Sequence, residues 1–289
     1  MNNKIYIIIV ILLLFFVINK YLLYNSDDDD NDDDNDDIEY FIPDSYKNMN
    51  PNMNLNMNPN MNQNIEIIIA RYNEDLEWTL EEPFNQYKYT VYNKGDNDDF
   101  IKDNVKKIIN LPNVGKCDHT YLYHIIYNYD NLSDIVVFLP GSIDLKYKKR
   151  VAKKLLKEIE KRNTAIFISL NETNIKKLYY NFKMDNYRTR HYSNIRKNSE
   201  KVLKKSSIRP FGLWFESIFG NLRIDCLIYY GIFSIHKDDI KQHPRSRYEM
   251  LIKGLSDHSN PEVGHYFERS WCAVFHPLKK TFVIKYNKI

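Results

Sequence analysis

Residues 65–75 read IEIIIARYNED, and the rest of the chain is organised around this segment. An apolar run from Ile67 to Ala70 changes abruptly into polar residues at Arg71. A short, mainly β-branched run of this kind predicts a buried strand. Polar residues just beyond the carboxyl end of such a strand lie where open α/β sheets bind ligands. An ordinary polar turn after the strand is the alternative.

Charge is unevenly distributed along the 289 residues, whose formal net charge is +3. Residues 1–64 carry 3 Lys and Arg against 11 Asp and Glu, whereas residues 65–289 carry 38 against 27. A basic domain suits anionic ligands such as phosphates or nucleotides, and a generally lysine-rich surface is the alternative. No Arg-rich helix or recognised nucleic-acid motif is present, so we expect no nucleic-acid partner.

A membrane anchor is predicted within residues 1–24. Residues 5–18 form an unbroken apolar run that, together with residues 21–23, reaches the length of a bilayer-spanning helix. Lys4 precedes the run and no small-residue cleavage site follows it, which favours an uncleaved signal-anchor. We expect the N-terminus in the cytosol and the main domain in the lumen or outside, although Lys20 lies at the other end of the run.

A disordered stalk is predicted over residues 25–64. Residues 27–37 are almost entirely Asp and Asn, and residues 48–64 repeat Asn, Met and Pro. Neither stretch can bury a core, and the acidic run is expected to repel itself and extend. The globular domain is therefore expected to run from residue 65 to residue 289.

Strand and helix patterns alternate along this globular domain. The predicted strands lie at 65–70, 87–92, 135–139, 165–170, 228–235, 272–276 and 281–286, and the predicted helices at 76–82, 119–129, 148–162 and 238–255. This alternation predicts an α/β fold with a mainly parallel sheet flanked by helices. Residues 171–210 are polar, basic and poorly periodic, and we interpret them as a long connection or an insertion.

The three cysteines are Cys117, Cys226 and Cys272, and they form no CxxC pair. Their wide spacing does not indicate a zinc site or a redox motif. One disulfide can form in an oxidising compartment, but the sequence does not choose the pair.

Two polar strand ends predict one ligand-binding crevice. Arg71, Asn73 and Asp75 follow the first strand, and Asn93 and Lys94 follow the strand at 87–92. A hairpin turn is the alternative interpretation of residues 93–95.

A third strand end carries a candidate metal ligand. Asp144 follows the strand at 135–139, and its carboxylate could bind Mg²⁺ or Mn²⁺ that bridges phosphates. The alternative is that Ser142 or Asp144 caps the helix that follows.

Residues 262–271, EVGHYFERSW, form the densest cluster of functional residue types late in the chain. His265 and Glu268 are three residues apart, so on a helix they would share a face. Glu268 could act as the general base that deprotonates an acceptor hydroxyl. The alternative is that Glu268 and Arg269 tie down the C-terminal part of the chain.

Five motifs occur in a fixed order: ARYNEDLEW at 70–78, YNKGD at 92–96, LPNVGKCDHTYLYHI at 111–125, YDNLSDIVVFLPG at 129–141 and GHYFERSW at 264–271. Through these motifs the chain resembles a domain-of-unknown-function family of fungi, bacteria and large DNA viruses, over about residues 65–277. That family is in turn similar to GT-A-type glycosyltransferases.

The resemblance implies a membrane-anchored enzyme that transfers a sugar from a nucleotide-sugar to a hydroxyl of a glycan or protein. It implies nucleotide contacts for the candidates at the first two strand ends, Mn²⁺ or Mg²⁺ at Asp144, and a base at Glu268 with His265 beside it. Two departures weaken the expected metal dependence. No Asp-x-Asp follows VVFL, and Pro140 stands where other members have Gln.

A second hypothesis comes from a different class of protein. A non-catalytic membrane or virion-surface protein could keep an inherited glycosyltransferase-like fold. Under either hypothesis a lumenal domain predicts glycosylation, because Asn131-Leu132-Ser133 and Asn171-Glu172-Thr173 are acceptor sequences.

Overall fold

The computed structural model describes residues 38–41, 63–185 and 203–286. The predicted anchor at residues 1–24 and most of the predicted stalk at residues 25–64 lie outside this part of the chain. Within it, no helix combines the length and the apolar character that crossing a bilayer requires.

The strands of the described residues are β1 (Ile38–Phe41), β2 (Ile65–Arg71), β3 (Tyr89–Asn93), β4 (Val105–Asn110), β5 (Ile135–Pro140), β6 (Ile166–Leu170), β7 (Phe233–His236) and β8 (Phe282–Tyr286). The central sheet has the spatial order β4-β3-β2-β5-β7. Its first four strands are parallel, and β7 pairs antiparallel with β5.

The α-helices are α1 (Lys116–Tyr127), α2 (Lys146–Arg162), α3 (Ile175–Leu178), α4 (Phe211–Phe219), α5 (Lys237–Lys241), α6 (Arg245–Ile252), α7 (Glu262–Glu268) and α8 (Trp271–Val274). Short 3-10 helices cover Glu77–Leu80, Phe84–Gln86 and Lys253–Leu255. The molecule is thus a mixed α/β fold whose mainly parallel central sheet is flanked by helices, as the alternation predicted.

Strand β2 is the middle strand of the central sheet, paired with β3 and β5, and both of its faces are covered. Ile67 and Ile69 belong to a buried cluster that includes Leu155 of α2, whereas Ile68 belongs to one that includes Leu122 of α1. Successive side chains of a strand point to opposite faces, so the unbroken run of isoleucines supplies both clusters. Burying each of these side chains contributes about 1.5–3 kcal/mol.

A second sheet has the order β1-β8-β6, with β6 parallel and β1 antiparallel to β8. Ser234 of β7 joins the two sheets. Its hydroxyl oxygen accepts a hydrogen bond from the Ile166 N–H at 2.6 Å and donates one to the Ile166 carbonyl at 3.0 Å. Strand β1 lies inside the range predicted as a disordered stalk. Its sequence IEYF has the β-branched and aromatic residues that favour a strand.

Three predicted elements within residues 228–276 also differ from the structure. The strand predicted at 272–276 is wrong, because Trp271–Val274 is helical; its residues are buried on every side, so periodicity cannot distinguish a helix from a strand there. The strand predicted at 228–235 begins only at Phe233, because Tyr230 and Gly231 have φ angles of 67° and 68°. The helix predicted at 238–255 is divided into α5, α6 and a 3-10 turn.

One disulfide is present among the described residues, between Cys226 and Cys272, and Cys117 is a free thiol. The disulfide joins the segment before β7 to helix α8, and its two cysteines are separated by 46 residues in sequence. The pair that the sequence left open is therefore the one between the second and third cysteines.

Candidate functional site

The carboxyl ends of β2, β3 and β5 meet at one edge of the central sheet, as the polar strand ends predicted. The loops after β2 and β3 touch there: a Cβ on Gly95 would lie 1.7 Å from the Tyr72 carbonyl oxygen, so only glycine fits. Strand β4 runs parallel to β3. The hairpin interpretation of residues 93–95 is therefore wrong.

Arg71 is fully buried at this edge and holds the two loops together. Its Nε donates to the Glu74 carbonyl at 2.7 Å, and its Nη1 donates to Asn93 Oδ1 at 2.6 Å and to the Asn97 carbonyl at 3.0 Å. The guanidinium also lies over the Phe100 ring, 4.2 Å from its centroid. These contacts give Arg71 a structural role.

The other nucleotide candidates of the first two strand ends also make contacts within these loops. Asn93 accepts from the Gly95 N–H at 3.2 Å and donates to the Asn97 carbonyl at 3.1 Å. Asp75 accepts from the Glu77 N–H at 3.1 Å. Asn73 Oδ1 accepts from Asn97 Nδ2 at 3.4 Å. The structure thus brings these candidates together, and their contacts to a nucleotide stay a prediction.

Lys94 fixes the path of the chain into α1. It is 6% exposed, and its ammonium donates to the backbone carbonyls of Val114 and Lys116. Gly115 and Lys116 adopt left-handed φ angles of 59° and 50° in the segment that Lys94 holds. Burial lowers the pKa of Lys94 to about 7.

Asp118 lies in the first turn of α1 and is 4% exposed. Its Oδ1 accepts a hydrogen bond from Trp271 Nε1 at 3.0 Å. Burial, with a further contribution from the charge of Glu268, raises the pKa of Asp118 to about 7. A carboxyl group with such a pKa can either give or take a proton near neutral pH.

Glu268 ends helix α7, with its side chain 26% exposed. Its Oε1 accepts from the Tyr230 N–H at 2.8 Å, whereas Oε2 lies 3.7 Å from Arg269 Nη1, beyond hydrogen-bond range. The turn that supplies this N–H also contacts α1, because a Cβ on Gly231 would lie 2.9 Å from Cys117 Sγ. One tight turn therefore sets the Glu268 carboxylate next to α1.

Two lysines lie within electrostatic range of Glu268. Burial lowers the pKa of Lys116 to about 8, and the charges of Asp118 and Glu268 act in the opposite direction. Burial also lowers the pKa of Lys148, whose Nζ donates to Ser142 Oγ at 2.7 Å. We call Lys116, Lys148, Asp118 and Glu268 the amine–carboxylate cluster.

Cys117 lies beside this cluster, but its thiol is not activated as a nucleophile. Burial, with the charge of Asp118, raises the pKa of the thiol. The thiolate is the reactive form of cysteine, so a raised pKa makes the group less reactive.

His265 lies on α7, one turn before Glu268 and 7% exposed. Burial lowers its pKa to about 3, and the charges of Lys116 and Arg269 act in the same direction. The ring is therefore neutral at physiological pH and is a weak base there. Of the two predicted catalytic residues, Glu268 is the one whose chemistry suits proton abstraction, and both catalytic roles stay predictions.

The surroundings of Asp144 do not fit a divalent cation. A cleft of about 360 Å³ is lined by this single carboxylate and by Lys146, Lys149, Arg150 and Lys153. Mg²⁺ and Mn²⁺ prefer carboxylate, carbonyl and water oxygens, and four neighbouring cations would repel them. Within the described residues no group of three or more His, Cys, Asp or Glu side chains could hold a metal ion.

The sequence did not single out Lys116, Asp118 or Lys148. Lys116 and Asp118 closely follow Gly115, a glycine before a helix, and they lie inside the motif LPNVGKCDHTYLYHI. Their place directly after this glycine is the sequence signal from which they could have been found, since helix N-termini often bind anions. Nothing local in the sequence indicates that Lys148 joins them, because residues so far apart in sequence have no fixed contact.

Comparison with known proteins assigns the chain to a family. The family described as "Protein of unknown function (DUF3431)" matches residues 67–285, so the chain belongs to it. No curated protein matches the chain. Among solved structures, mannose-1-phosphate geranyltransferase from Thermus thermophilus is similar at 11% identity and a TM-score of 0.28, covering 79% of this chain and 75% of that one. A likeness of that strength carries no argument about activity.

Proposed function

We propose that this chain is a glycosyltransferase-like enzyme that moves a sugar from a nucleotide-sugar to a hydroxyl group of a glycan or protein. The observation that carries the proposal is the placement of Glu268. Its carboxylate is held by the Tyr230 N–H beside Asp118, Lys116 and Lys148, at the carboxyl edge of a mainly parallel sheet. This edge is where α/β folds bind ligands.

In the proposed reaction Glu268 is the general base. The acceptor hydroxyl gives its proton to the Glu268 carboxylate while the acceptor oxygen forms a bond to the anomeric carbon of the sugar. The bond from that carbon to the phosphate oxygen breaks, and the nucleoside diphosphate leaves with the bonding electron pair. Lys116 and Lys148 offset the negative charge that develops on the leaving phosphate.

The cellular setting is part of the proposal. A signal-anchor at residues 1–24 would hold the domain on the lumenal or outer side of a membrane. The proposal also includes a GT-A-like interpretation of the fold. The Cys226–Cys272 disulfide supports an oxidising compartment. Asn131 and Asn171 both lie on exposed turns, which suits glycosylation. Protease digestion of intact microsomes tests the orientation, because a domain degraded without detergent contradicts it.

The enzymatic proposal is tested by a screen of nucleotide-sugars. We expect at least one donor to raise the melting temperature of the full-length chain and to be hydrolysed or transferred, with release of nucleoside diphosphate. If no donor stabilises the protein and none is consumed, with or without Mn²⁺, the non-catalytic surface protein becomes the better account.

A further inference from the structure

We propose that four tyrosines beside Glu268 form a binding subsite for a saccharide, so that the acceptor is a glycan and not a protein. The four are Tyr147, Tyr179, Tyr229 and Tyr230, and we call them the tyrosine row. The inference rests on the proposed function for the reaction that the saccharide undergoes. The chemical class of the ligand follows from the side chains themselves.

The tyrosine row is continuous because each member contacts the next. The ring centroids of Tyr147 and Tyr230 lie 4.9 Å apart, and those of Tyr230 and Tyr229 lie 5.8 Å apart. The hydroxyl oxygens of Tyr229 and Tyr179 lie 2.8 Å apart and share a hydrogen bond. The row therefore runs from helix α2, across the turn before β7, to the residue that follows α3.

The row passes directly beside the proposed base. The backbone N–H of Tyr230 donates to Glu268 Oε1 at 2.8 Å. Arg269, the residue after Glu268, contacts the far end of the row, where its Cζ lies 5.1 Å from the centroid of the Tyr179 ring. A ligand that lies along the row would therefore bring one of its groups to the Glu268 carboxylate.

The backbone at Tyr230 is strained, and the tyrosine ring is not needed to hold Glu268. Tyr230 has a φ of 67°, in the left-handed region that bulky residues rarely adopt and glycine adopts readily. Any residue at this position would supply the N–H that Glu268 accepts. Strained residues cluster at active sites and ligand sites, where the surrounding structure holds them in place. A tyrosine at a position suited to glycine therefore indicates a use for its ring.

The tyrosine row suits a saccharide because both have an apolar surface and hydroxyl groups. All four tyrosines are partly exposed, so the row can be reached from solvent. A tyrosine offers an apolar ring and a hydroxyl that donates and accepts hydrogen bonds. A pyranose has a face of C–H bonds and a rim of hydroxyls, so stacking on the rings buries apolar surface while the hydroxyls stay hydrogen-bonded. A serine or threonine side chain has no such face, so a protein acceptor would leave the row unused.

The test is binding of the full-length chain to an array of neutral and acidic oligosaccharides without any donor, followed by calorimetry on the tightest ligand. We expect at least one oligosaccharide to bind. Tyr147→Leu and Tyr230→Gly should each weaken its binding by about tenfold or more, because a ring contact is lost. Tyr147→Phe keeps the ring and should stay within about threefold. Tyr230→Gly preserves both the left-handed backbone and the N–H that holds Glu268.

Tyr127→Leu is the matched control. Tyr127 is 69% exposed and stacks on Tyr123 with ring centroids 4.1 Å apart, so it too is a solvent-facing tyrosine in a ring pair. It is the last residue of α1, at the opposite end of that helix from Lys116, and its substitution should leave oligosaccharide binding unchanged. The melting temperature of each variant is measured as well, which distinguishes a lost contact from a lost fold.

The outcomes separate this inference from the proposed function. No oligosaccharide binding by the wild type overturns the subsite, as does binding that Tyr147→Leu and Tyr230→Gly both retain within twofold. Binding to phosphatidylcholine vesicles in place of oligosaccharides also overturns it, since the ligand is then a lipid. Oligosaccharide binding without turnover of any nucleotide-sugar leaves the subsite standing and removes the transferase proposal. Transfer to a peptide hydroxyl that both variants carry out at the wild-type rate does the reverse.

Discussion

Trp271 Nε1 donates a 3.0 Å hydrogen bond to Asp118 Oδ1 across 153 residues of sequence. This contact joins the first turn of α1 to helix α8, which the Cys226–Cys272 disulfide also holds. The bond favours the ionised carboxylate and so opposes the effect of burial on Asp118. The C-terminal helices therefore contribute, after burial, to the protonation of a carboxyl group that lies in α1.

Trp271→Phe is expected to raise the pKa of Asp118 above about 7, because the hydrogen bond that favours the charged form is lost. A carbon-13 carboxyl titration by NMR measures this without relying on activity. Trp78→Phe is the matched control, since it removes another buried indole donor, one that bonds the Gly141 carbonyl at 2.9 Å. An unchanged Asp118 titration in Trp271→Phe would show that the bond does not matter.

Arg71→Met is expected to destabilise the fold while removing no predicted catalytic group. Each buried acceptor left unpaired costs about 1–3 kcal/mol, and Arg71 serves acceptors on Glu74, Asn93 and Asn97. Chemical denaturation should show a loss of at least about 2 kcal/mol. Arg150→Met, which alters an exposed arginine of α2, should change stability by less than about 0.5 kcal/mol. Equal losses for the two variants would refute the structural role.

Much of the fold could be predicted from the sequence because its signals are local. The isoleucine run of β2, the VVFL run of β5 and the 3.6-residue period of α2 each specify an element without information from elsewhere. The polar residues after β2 and β3 were expected to meet, and they do, because parallel strands end at the same edge.

The amine–carboxylate cluster could not be predicted in the same way. It depends on the turn at Tyr230 and Gly231, whose left-handed backbone no sequence pattern marked, and on contacts between α1, α2 and α7. The sequence predicted where Arg71 lies but not what it does. Only the geometry reveals that its guanidinium makes contacts inside the protein.

Acid should destabilise the wild type more than a His119→Phe variant. Burial lowers the pKa of His119 to about 4 in the folded state, against 6.5 in the unfolded chain. Between these values the unfolded chain binds more protons, so the stability contributed by this residue falls as pH decreases from about 6.5 to about 4. Denaturation midpoints at pH 7.5 and pH 4.5 test it. A constant difference between the two proteins at both pH values would contradict the assignment.

Reducing the Cys226–Cys272 disulfide should lower the free energy of unfolding by about 2–5 kcal/mol. The double variant Cys226→Ser with Cys272→Ser should match the reduced wild type and no longer respond to reductant. Cys117→Ser is the control, since that thiol is free and should leave the response to reductant intact. A melting temperature of the wild type that does not depend on reductant would show that the pair does not stabilise the fold.

Glu268→Gln is the substitution that decides whether Glu268 is the base of a sugar transfer. The substitution keeps the shape of the side chain and removes its basicity, so turnover of an active donor should fall by about 10²–10⁴-fold. Donor affinity should stay within about threefold, because Glu268 acts on the acceptor hydroxyl and not on the donor. Glu160→Gln, which alters an exposed carboxylate of α2, should leave both quantities unchanged. If Glu268→Gln retains near-normal turnover but unfolds at a lower temperature, Glu268 stabilises the fold instead of acting as the base, and the catalytic assignment is wrong.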